Sequence, residues 1–293
     1  MMISVVIPLY NKRSSIASTV ESVLGQTYAD FELIVVDDGS TDGSAEVVKA
    51  YSDSRIKLIS KNNGGVSSAR NAGILTALSN YVAFLDADDI WNPEYLAEIN
   101  RMISDFPEAG IFGTSYTIVR GGKSSAGQVS VPEGFYGIID NSDWRYGHLP
   151  WTSVVCCRKS ALMEVGLFDE RMAYGEDSDV WWRIMLKYPF AYSGKCLAIY
   201  RKDGENRAME KSIDLTKLYI FYFEKYSEAR ARNDAFRHFI DKECMWWLYP
   251  YVLADPMNKD AKRILAQIDF SEYKFSFWFR FHFPKIYSII RKR

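Results

Sequence analysis

Tyr81-Val82-Ala83-Phe84-Leu85-Asp86-Ala87-Asp88-Asp89-Ile90-Trp91 is the stretch from which the rest of the chain can be read. A short apolar run ends in three carboxylates, and Asn92-Pro93-Glu94 then opens a helical pattern. A buried strand delivering acids to the edge of a sheet has this form. Asn92 is the expected N-cap of the following helix, with Pro93 at its first position. Acids crowded at one strand end repel one another unless a cation sits among them. An oxygen-only cluster suits a hard divalent ion, Mg2+ or Mn2+, shared with a phosphate. A solvated turn with a capping Asp would carry the same letters, so the neighbouring stretches decide.

Towards the N-terminus, strands and helices alternate. Residues 3–9 form an apolar run ending at Pro8-Leu9-Tyr10-Asn11, and residues 15–24 place Ile16, Val20, Val23 and Leu24 at helical spacing. A second strand over 31–36 runs into Asp37-Asp38-Gly39-Ser40-Thr41-Asp42-Gly43, and a helix is predicted over 45–51. A third strand over 55–60 is followed by Asn62-Asn63-Gly64-Gly65 and a helix over 66–78. This rhythm predicts an α/β fold with a Rossmann-like, mostly parallel, doubly wound sheet flanked by helices. Right-handed crossovers bring the strand ends to one edge, where ligands bind. Asp37-Asp38, Asn63-Gly64 and Asp86-Asp88 therefore face one crevice.

Beyond Trp91 the pattern predicts a helix over 93–105, a strand over 111–119 and a loop or hairpin over 121–127. Residues 135–150 are polar and aromatic, with no clear periodicity. A strand over 153–157, a short helix capped by Ser160, and a helix entered through Glu176-Asp177-Ser178-Asp179 follow, then a strand over 191–200. From 213 to 268 the pattern is helical and separate in character. The expected division is 1–210 for the α/β domain and 211–293 for a helical C-terminal region ending in a basic, aromatic tail.

The 293 residues suffice for a substantial core. Charged residues make up 25% and nearly cancel, with a formal net charge of -1, which argues against a general nucleic-acid binder. Cys156, Cys157, Cys196 and Cys244 show no CxxC spacing, and Met1-Met2-Ile3-Ser4 runs straight into a strand without a signal-peptide pattern. Reduced thiols and a cytoplasmic location are the expectation. No apolar run is long enough to span a bilayer.

Neither GxGxxG nor GxxxxGK[ST] follows the first strand, so a dinucleotide site and a P-loop are unsupported. Asp37 and Asp38 suit a base or ribose, because a carboxylate accepts from ring N–H or hydroxyl groups and repels phosphate. An Asx turn with an N-cap is the lesser alternative for the same letters. Arg70 is either a nucleotide contact or an exposed helical arginine. Glu176, Asp177 and Asp179 favour a helix N-terminus by dipole and capping alone. Trp181 and Trp182 could face a sugar ring or simply fill the core.

Taken together, Val5-Val6-Ile7-Pro8-Leu9-Tyr10-Asn11, Val35-Val36-Asp37-Asp38-Gly39-Ser40-Thr41-Asp42 and Asn63-Gly64-Gly65-Val66-Ser67-Ser68-Ala69-Arg70-Asn71 resemble the family 2 glycosyltransferases. Phe84-Leu85-Asp86-Ala87-Asp88-Asp89 and Gly175-Glu176-Asp177-Ser178-Asp179-Val180-Trp181 extend the resemblance over roughly 3–200, in the family's order. It implies the GT-A fold and inverting transfer of a sugar from a nucleotide-diphosphate sugar to a hydroxyl, with a UDP-sugar favoured. It further implies that Pro8, Tyr10, Asp38, Arg70 and Asp86 hold base and ribose, that Asp88 binds Mn2+ or Mg2+ at the diphosphate, and that Asp177 is the catalytic base. The chain departs from the family at Tyr200-Arg201-Lys202-Asp203-Gly204, where many members carry a His about where Asp203 stands. Asp203 could replace it as an oxygen ligand, and Lys202 or Arg207 could contact diphosphate instead.

The stretch Tyr273-Lys274-Phe275-Ser276-Phe277-Trp278-Phe279-Arg280-Phe281-His282-Phe283-Pro284-Lys285 is dense in rings and cations, and no acid follows Glu272. Such a pattern favours an anionic membrane surface; docking on the protein itself or on a second subunit is the alternative. The expected partners are a nucleotide-sugar donor, a glycan or lipid-linked acceptor and, through the tail, the inner face of a membrane. Rival readings are a nucleotidyltransferase, and a non-catalytic nucleotide- or sugar-binding or membrane scaffold protein.

Overall fold

In a computed structural model the chain is described over residues 1–127, 131–132, 134–142, 144–202 and 213–291. It divides into two compact units, Met1–Asn141 with Tyr146–Ser212, and Ser142–Arg145 with Ile213–Arg293.

The first unit opens with β1 (Ile3–Leu9), α1 (Ile16–Leu24), β2 (Phe31–Asp37), α2 (Ser44–Lys49), β3 (Ile56–Ser60), α3 (Val66–Thr76) and β4 (Tyr81–Phe84). β1 pairs in parallel with β2 on one side and β4 on the other, and β3 lies outside β2. The order β3-β2-β1-β4 puts the point where the winding reverses beside β1, so the ends of β1 and β4 border the crevice. Strands covered on both faces read as continuous apolar runs, as Val5, Val6 and Ile7 do. Gly73 lets α3 lie close on β1, since a methyl there would collide with the Val6 side chain.

The rest of the sheet is mixed. β5 (Ile90–Trp91), α4 (Tyr95–Asp105), β6 (Ile111–Arg120), β7 (Lys123–Ala126), β8 (Tyr136–Ile138), β9 (Val155–Arg158), α5 (Lys159–Glu164), α6 (Glu176–Met185) and β10 (Phe190–Arg201) follow in the chain. β9 is antiparallel to both β4 and β6, β10 is parallel to β6, and β5 is antiparallel to β10. The predicted hairpin forms between β6 and β7, turning through Gly121 and Gly122 at φ of +55° and +72°.

Two capping expectations are corrected. α4 begins at Tyr95, not at Pro93, because Asn92 stays on the sheet: its N–H bonds Leu197 O and its amide bonds Cys196 O. The side chain of Gln26 supplies the missing cap, accepting from Leu96 N at 2.9 Å and donating to Asn92 O at 2.7 Å. Ser160 does not cap α5, whose first residue Lys159 instead has its N–H bonded to Asn80 O.

The second unit contains α7 (Ser227–Arg232), α8 (Asp234–Ala254), α9 (Lys259–Leu265), α10 (Phe275–His282) and α11 (Pro284–Arg291). Its core includes Phe223, Phe236, Ile240 and Leu248, with Trp144 packed on Phe236. A buried Arg230–Asp241 pair, completed by Tyr273 Oη and Gln267 O, ties α7, α8 and the segment before α10 together.

Candidate active site

The acid-bearing turn after β4 is held from two sides. Ser15 Oγ, just before α1, donates to Ala87 O, and the Thr19 hydroxyl of α1 is shared between Ala87 O and Asp89 O. Ser153 Oγ accepts from Asp86 N, and Asp89 N closes the turn on Asp86 O. The three carboxylates then part company. Asp86 meets Arg70 at 2.8 Å, Asp88 meets Lys12 at 2.6 Å, and Asp89 turns inward to Ser153 Oγ at 2.6 Å and Arg201 N at 3.1 Å. Burial, then the charges of Asp86 and Asp88, push the Asp89 carboxyl well above the usual carboxylate range. Buried, and accepting at both carboxyl oxygens from within the protein, Asp89 serves the turn and not a ligand. The protein thus balances its own crowded acids with lysine and arginine.

The same economy recurs at the end of β2. The Asp38 carboxylate accepts from Gly64 N, Gly65 N and Lys61 Nζ, and Asn63 Nδ2 donates to Asp38 O. Asp38 therefore straps the loop before α3 to the sheet edge, which needs Gly65 at φ of +88°. Asp37 accepts from Ser40 N. Asn11 turns the chain after β1 in a left-handed conformation, φ +50°, pinned by Ser40 and Thr41. This leaves Tyr10 with half its surface exposed, at 49%, and Pro8 half-buried opposite Val36.

The acids at the start of α6 also separate. Glu176 is buried against Arg70 Nη1 at 2.8 Å, and Asp179 is buried against Arg183. Asp177 alone of the three is half-exposed, accepting from Thr152 Oγ1 at 2.9 Å and from Ser178 N at 2.7 Å. Burial and the neighbouring Asp177 charge push Glu176 up to about 7, against the pull of Arg70. Arg70, gripping Asp86 and Glu176 at once over the ring of Phe168, joins β4, α3 and α6. Trp181 and Trp182 are core. Trp181 packs on Phe84 and Phe168, and Trp182 donates to Gly147 O, so neither presents a face to a sugar.

Residues 4–172 match the family model described as Glycosyl transferase family 2. The chain belongs to this family. A glycosyltransferase of Nostoc sp. (strain PCC 7120), itself uncharacterised, is 32% identical over 273 residues, which is 81% of this chain and 80% of the relative. WfgD of Escherichia coli is named a UDP-Glc:α-D-GlcNAc-diphosphoundecaprenol β-1,3-glucosyltransferase. It is 44% identical over 91 residues, 31% of this chain and 36% of WfgD. Residues 1–349 of TarS from S. aureus, solved with UDP-GlcNAc, superpose at a TM-score of 0.63 with 23% identity, over 73% of this chain and 62% of that one. The mannosyltransferase PcManGT from Pyrobaculum calidifontis, solved with GDP-Man and Mn2+, gives 0.52 with 19% identity, over 67% of this chain and 56% of PcManGT. At these identities the two structures establish the shared GT-A fold. The chain spans less than two thirds of WfgD, TarS 1–349 and PcManGT.

Within the family fold, the fit of a divalent cation can be tested on the donor set. Among the described residues no group of three or more His, Cys, Asp or Glu is disposed to hold a metal ion. Asp86 and Asp88 are two hard oxygen donors at one strand end, which suits an ion that draws its remaining ligands from water and substrate phosphate. Asp203 and Arg207, the candidates for the position of the family's His, lie outside the described residues. Lys202 is placed, with its N–H bonded to Val119 O and its ammonium over Tyr200.

Sequence reasoning passed over four residues of this candidate site. Lys12 and Lys61 neutralise Asp88 and Asp38, Thr152 orients Asp177, and Ser153 serves both Asp86 and Asp89. A signal existed for Lys12, which directly follows the Tyr10-Asn11 turn. Thr152 and Ser153 follow the stretch without periodicity.

Proposed function

We propose that this family 2 protein is an inverting glycosyltransferase that moves a sugar from a nucleoside-diphosphate sugar, a UDP-sugar first, to a hydroxyl of a surface glycan or glycolipid. The observation that carries the proposal is the isolation of Asp177. Glu176 and Asp179 are locked into buried ion pairs, while Asp177 is held by neutral donors at the mouth of α6. In a single displacement the acceptor oxygen attacks the anomeric carbon, the bond from that carbon to the diphosphate breaks with its electron pair leaving on phosphate, and the acceptor proton passes to Asp177. Thr152 holds the carboxylate in place.

Tyr10, with Pro8, offers an exposed surface for the base, and Asp38 and Asp86 lie at the ends of the strands that would border the ribose. In this conformation both carboxylates hold internal partners, so they act by shaping the loop as well as by contact. Arg70 acts as a brace between the donor side and α6. Asp88, with Asp86, would hold Mn2+ or Mg2+, which when bound stabilises charge on the departing diphosphate. The names of WfgD and the TarS complex support a uridine donor.

A thermal-shift screen of UDP, GDP, dTDP and CDP, with and without Mn2+, tests the donor class. Stabilisation by one diphosphate, followed by slow release of that diphosphate from its sugar, supports the enzyme. No response to any of the four favours the scaffold reading.

Location at the inner face of a membrane belongs to the same proposal. No helix among the described residues is long and apolar enough to cross a bilayer. In the second unit Phe283 between α10 and α11 and Ile286 and Ile289 of α11 are exposed, and the rings of Phe275, Trp278 and His282 stack along one edge of α10. Lys274, Arg280 and Lys285 accompany them without an acid, which complements anionic lipid. Sedimentation with phosphatidylcholine vesicles, with and without phosphatidylglycerol, is expected to show binding only to the anionic ones. Loss of a dimer, and not of vesicle binding, on changing Ile286 and Ile289 to Ser would assign the face to a second copy instead.

A further inference from the structure

Asp88 keeps a counter-ion of its own. Among the described residues, Lys12 Nζ at 2.6 Å is the group that pairs with its carboxylate, and the two side chains are only 16% and 18% exposed. The main chain of Lys12 is fixed. Its N–H bonds Ser44 Oγ, and its carbonyl accepts the N–H groups of Ser15 and Ile16 where α1 begins. Only the flexible four-carbon stem can move. On the other side of Asp88, Arg201 Nε donates to the Asp88 carbonyl at 2.5 Å and Nη1 donates to Ser18 Oγ. Among the described residues, Arg201 Nη2 is buried with no hydrogen-bond partner. Two cations therefore grip Asp88, an acid that the donor reading assigns to a metal, and among the described residues one of them has a donor to spare.

We propose that Lys12 is a built-in surrogate for the divalent ion. It neutralises Asp88 in the ligand-free protein, is displaced when the ion arrives, and then pairs with the β-phosphate of the donor. This rests on the nucleoside-diphosphate-sugar reading of the site. The physical basis is charge. A divalent ion attracts the carboxylate twice as strongly as an ammonium at equal distance, so it can win the exchange. The freed ammonium, tethered at the mouth of β1, then finds the densest negative charge available on the diphosphate. Lys61 differs, because Asp38 keeps two backbone N–H bonds whether or not its lysine stays. The exchange makes Lys12 an opponent of the metal taken alone and an ally of metal and diphosphate together.

Those two roles predict effects of opposite sign, which a merely structural lysine would not produce. Mn2+ is titrated alone into the wild type and into Lys12→Met, followed by electron paramagnetic resonance; UDP and UMP are then titrated calorimetrically at saturating Mn2+. Lys12→Met is expected to bind Mn2+ alone several-fold more tightly, since its competitor is gone. It should bind UDP about tenfold more weakly, the scale of a lost charge-assisted hydrogen bond, with UMP changed far less. Lys12→Arg, which keeps the charge, should recover most of the UDP affinity that Lys12→Met loses. Mn2+ bound no more tightly by Lys12→Met, or equal losses for UDP and UMP, would overturn the exchange while leaving the donor site intact. A wild type that binds neither nucleotide would instead remove the donor reading on which the exchange rests.

Discussion

Arg70 donates to Glu176 at 2.8 Å across 106 residues of sequence, and neither side chain has much contact with water. The other arm of the guanidinium holds Asp86, so one buried cation joins the acid turn of β4 to the helix that presents Asp177. Replacing Arg70 with Met is expected to destabilise the first unit by about 3–5 kcal/mol, because a buried carboxylate loses its partner. Urea denaturation followed by tryptophan fluorescence reads this directly, and a loss under 1 kcal/mol would show the brace to be dispensable.

Glu176 gives stability a pH dependence whose sign is opposite to that of an ordinary salt-bridged acid. Its folded value of about 7 lies above the ordinary 4.5, so the folded chain holds a proton that the unfolded chain has released. The contribution is fully present below pH 4.5 and is lost as pH rises through 7, an amount on the order of 3 kcal/mol. Glu176→Gln should flatten the stability profile between pH 5 and pH 8. An unchanged profile in that variant would exclude Glu176 as its source.

Asp177→Asn should retain donor binding and lose transfer by about 100-fold or more, the scale of a lost general base. Thr152→Val, which removes the hydroxyl that orients this carboxylate, should lower turnover with little change in donor affinity. Steady-state kinetics on donor hydrolysis separates the two effects. Full turnover in Asp177→Asn would pass the role to another group.

Asp88→Asn should abolish the Mn2+-dependent part of nucleotide binding while leaving the melting temperature within a few degrees. Asn keeps a side-chain oxygen to accept from Lys12, so the loss of stability should stay near about 1–2 kcal/mol although the pair is largely buried. Differential scanning fluorimetry with and without UDP and Mn2+ measures both quantities in one plate.

Gln26→Leu should cost about 1–3 kcal/mol, since Leu96 N would be buried without an acceptor at the start of α4. Gln26→Glu keeps that acceptor but sets a buried carboxylate oxygen against the Ser22 and Asn92 carbonyls, so it should cost at least as much. Urea denaturation measures both variants, and no loss in Gln26→Leu would show that Leu96 N finds another acceptor.

The parallel half of the sheet was legible because its information is local. Strands β1, β2 and β4 are largely apolar runs closed by polar turns, β3 sets Ile56 and Leu58 on either side of Lys57, and the apolar spacing of α1 identifies a helix whatever lies around it. The start of α4 was not, because two long-range bonds from Leu197 and Cys196 keep Asn92 on the sheet and hand the cap to Gln26. Trp181 and Trp182 were equally open in sequence. Only the packing of Phe84, Phe168 and the Gly147 carbonyl around them shows that both are interior.

By itself the sequence determined the winding of the first four strands, the convergence of Asp38, Asp86 and Asp88 on one edge, and the family to which the motifs belong. Periodicity and turn chemistry act over a few residues, and right-handed crossovers then leave little choice about where strand ends meet. Tertiary structure alone decided what each acid does. Whether a carboxylate is charged, protonated or paired depends on burial and on a partner distant in the chain: Lys12 for Asp88, Arg70 for Asp86 and Glu176, Ser153 for Asp89. Desolvation and Coulomb attraction act through space, and no local pattern of letters records them.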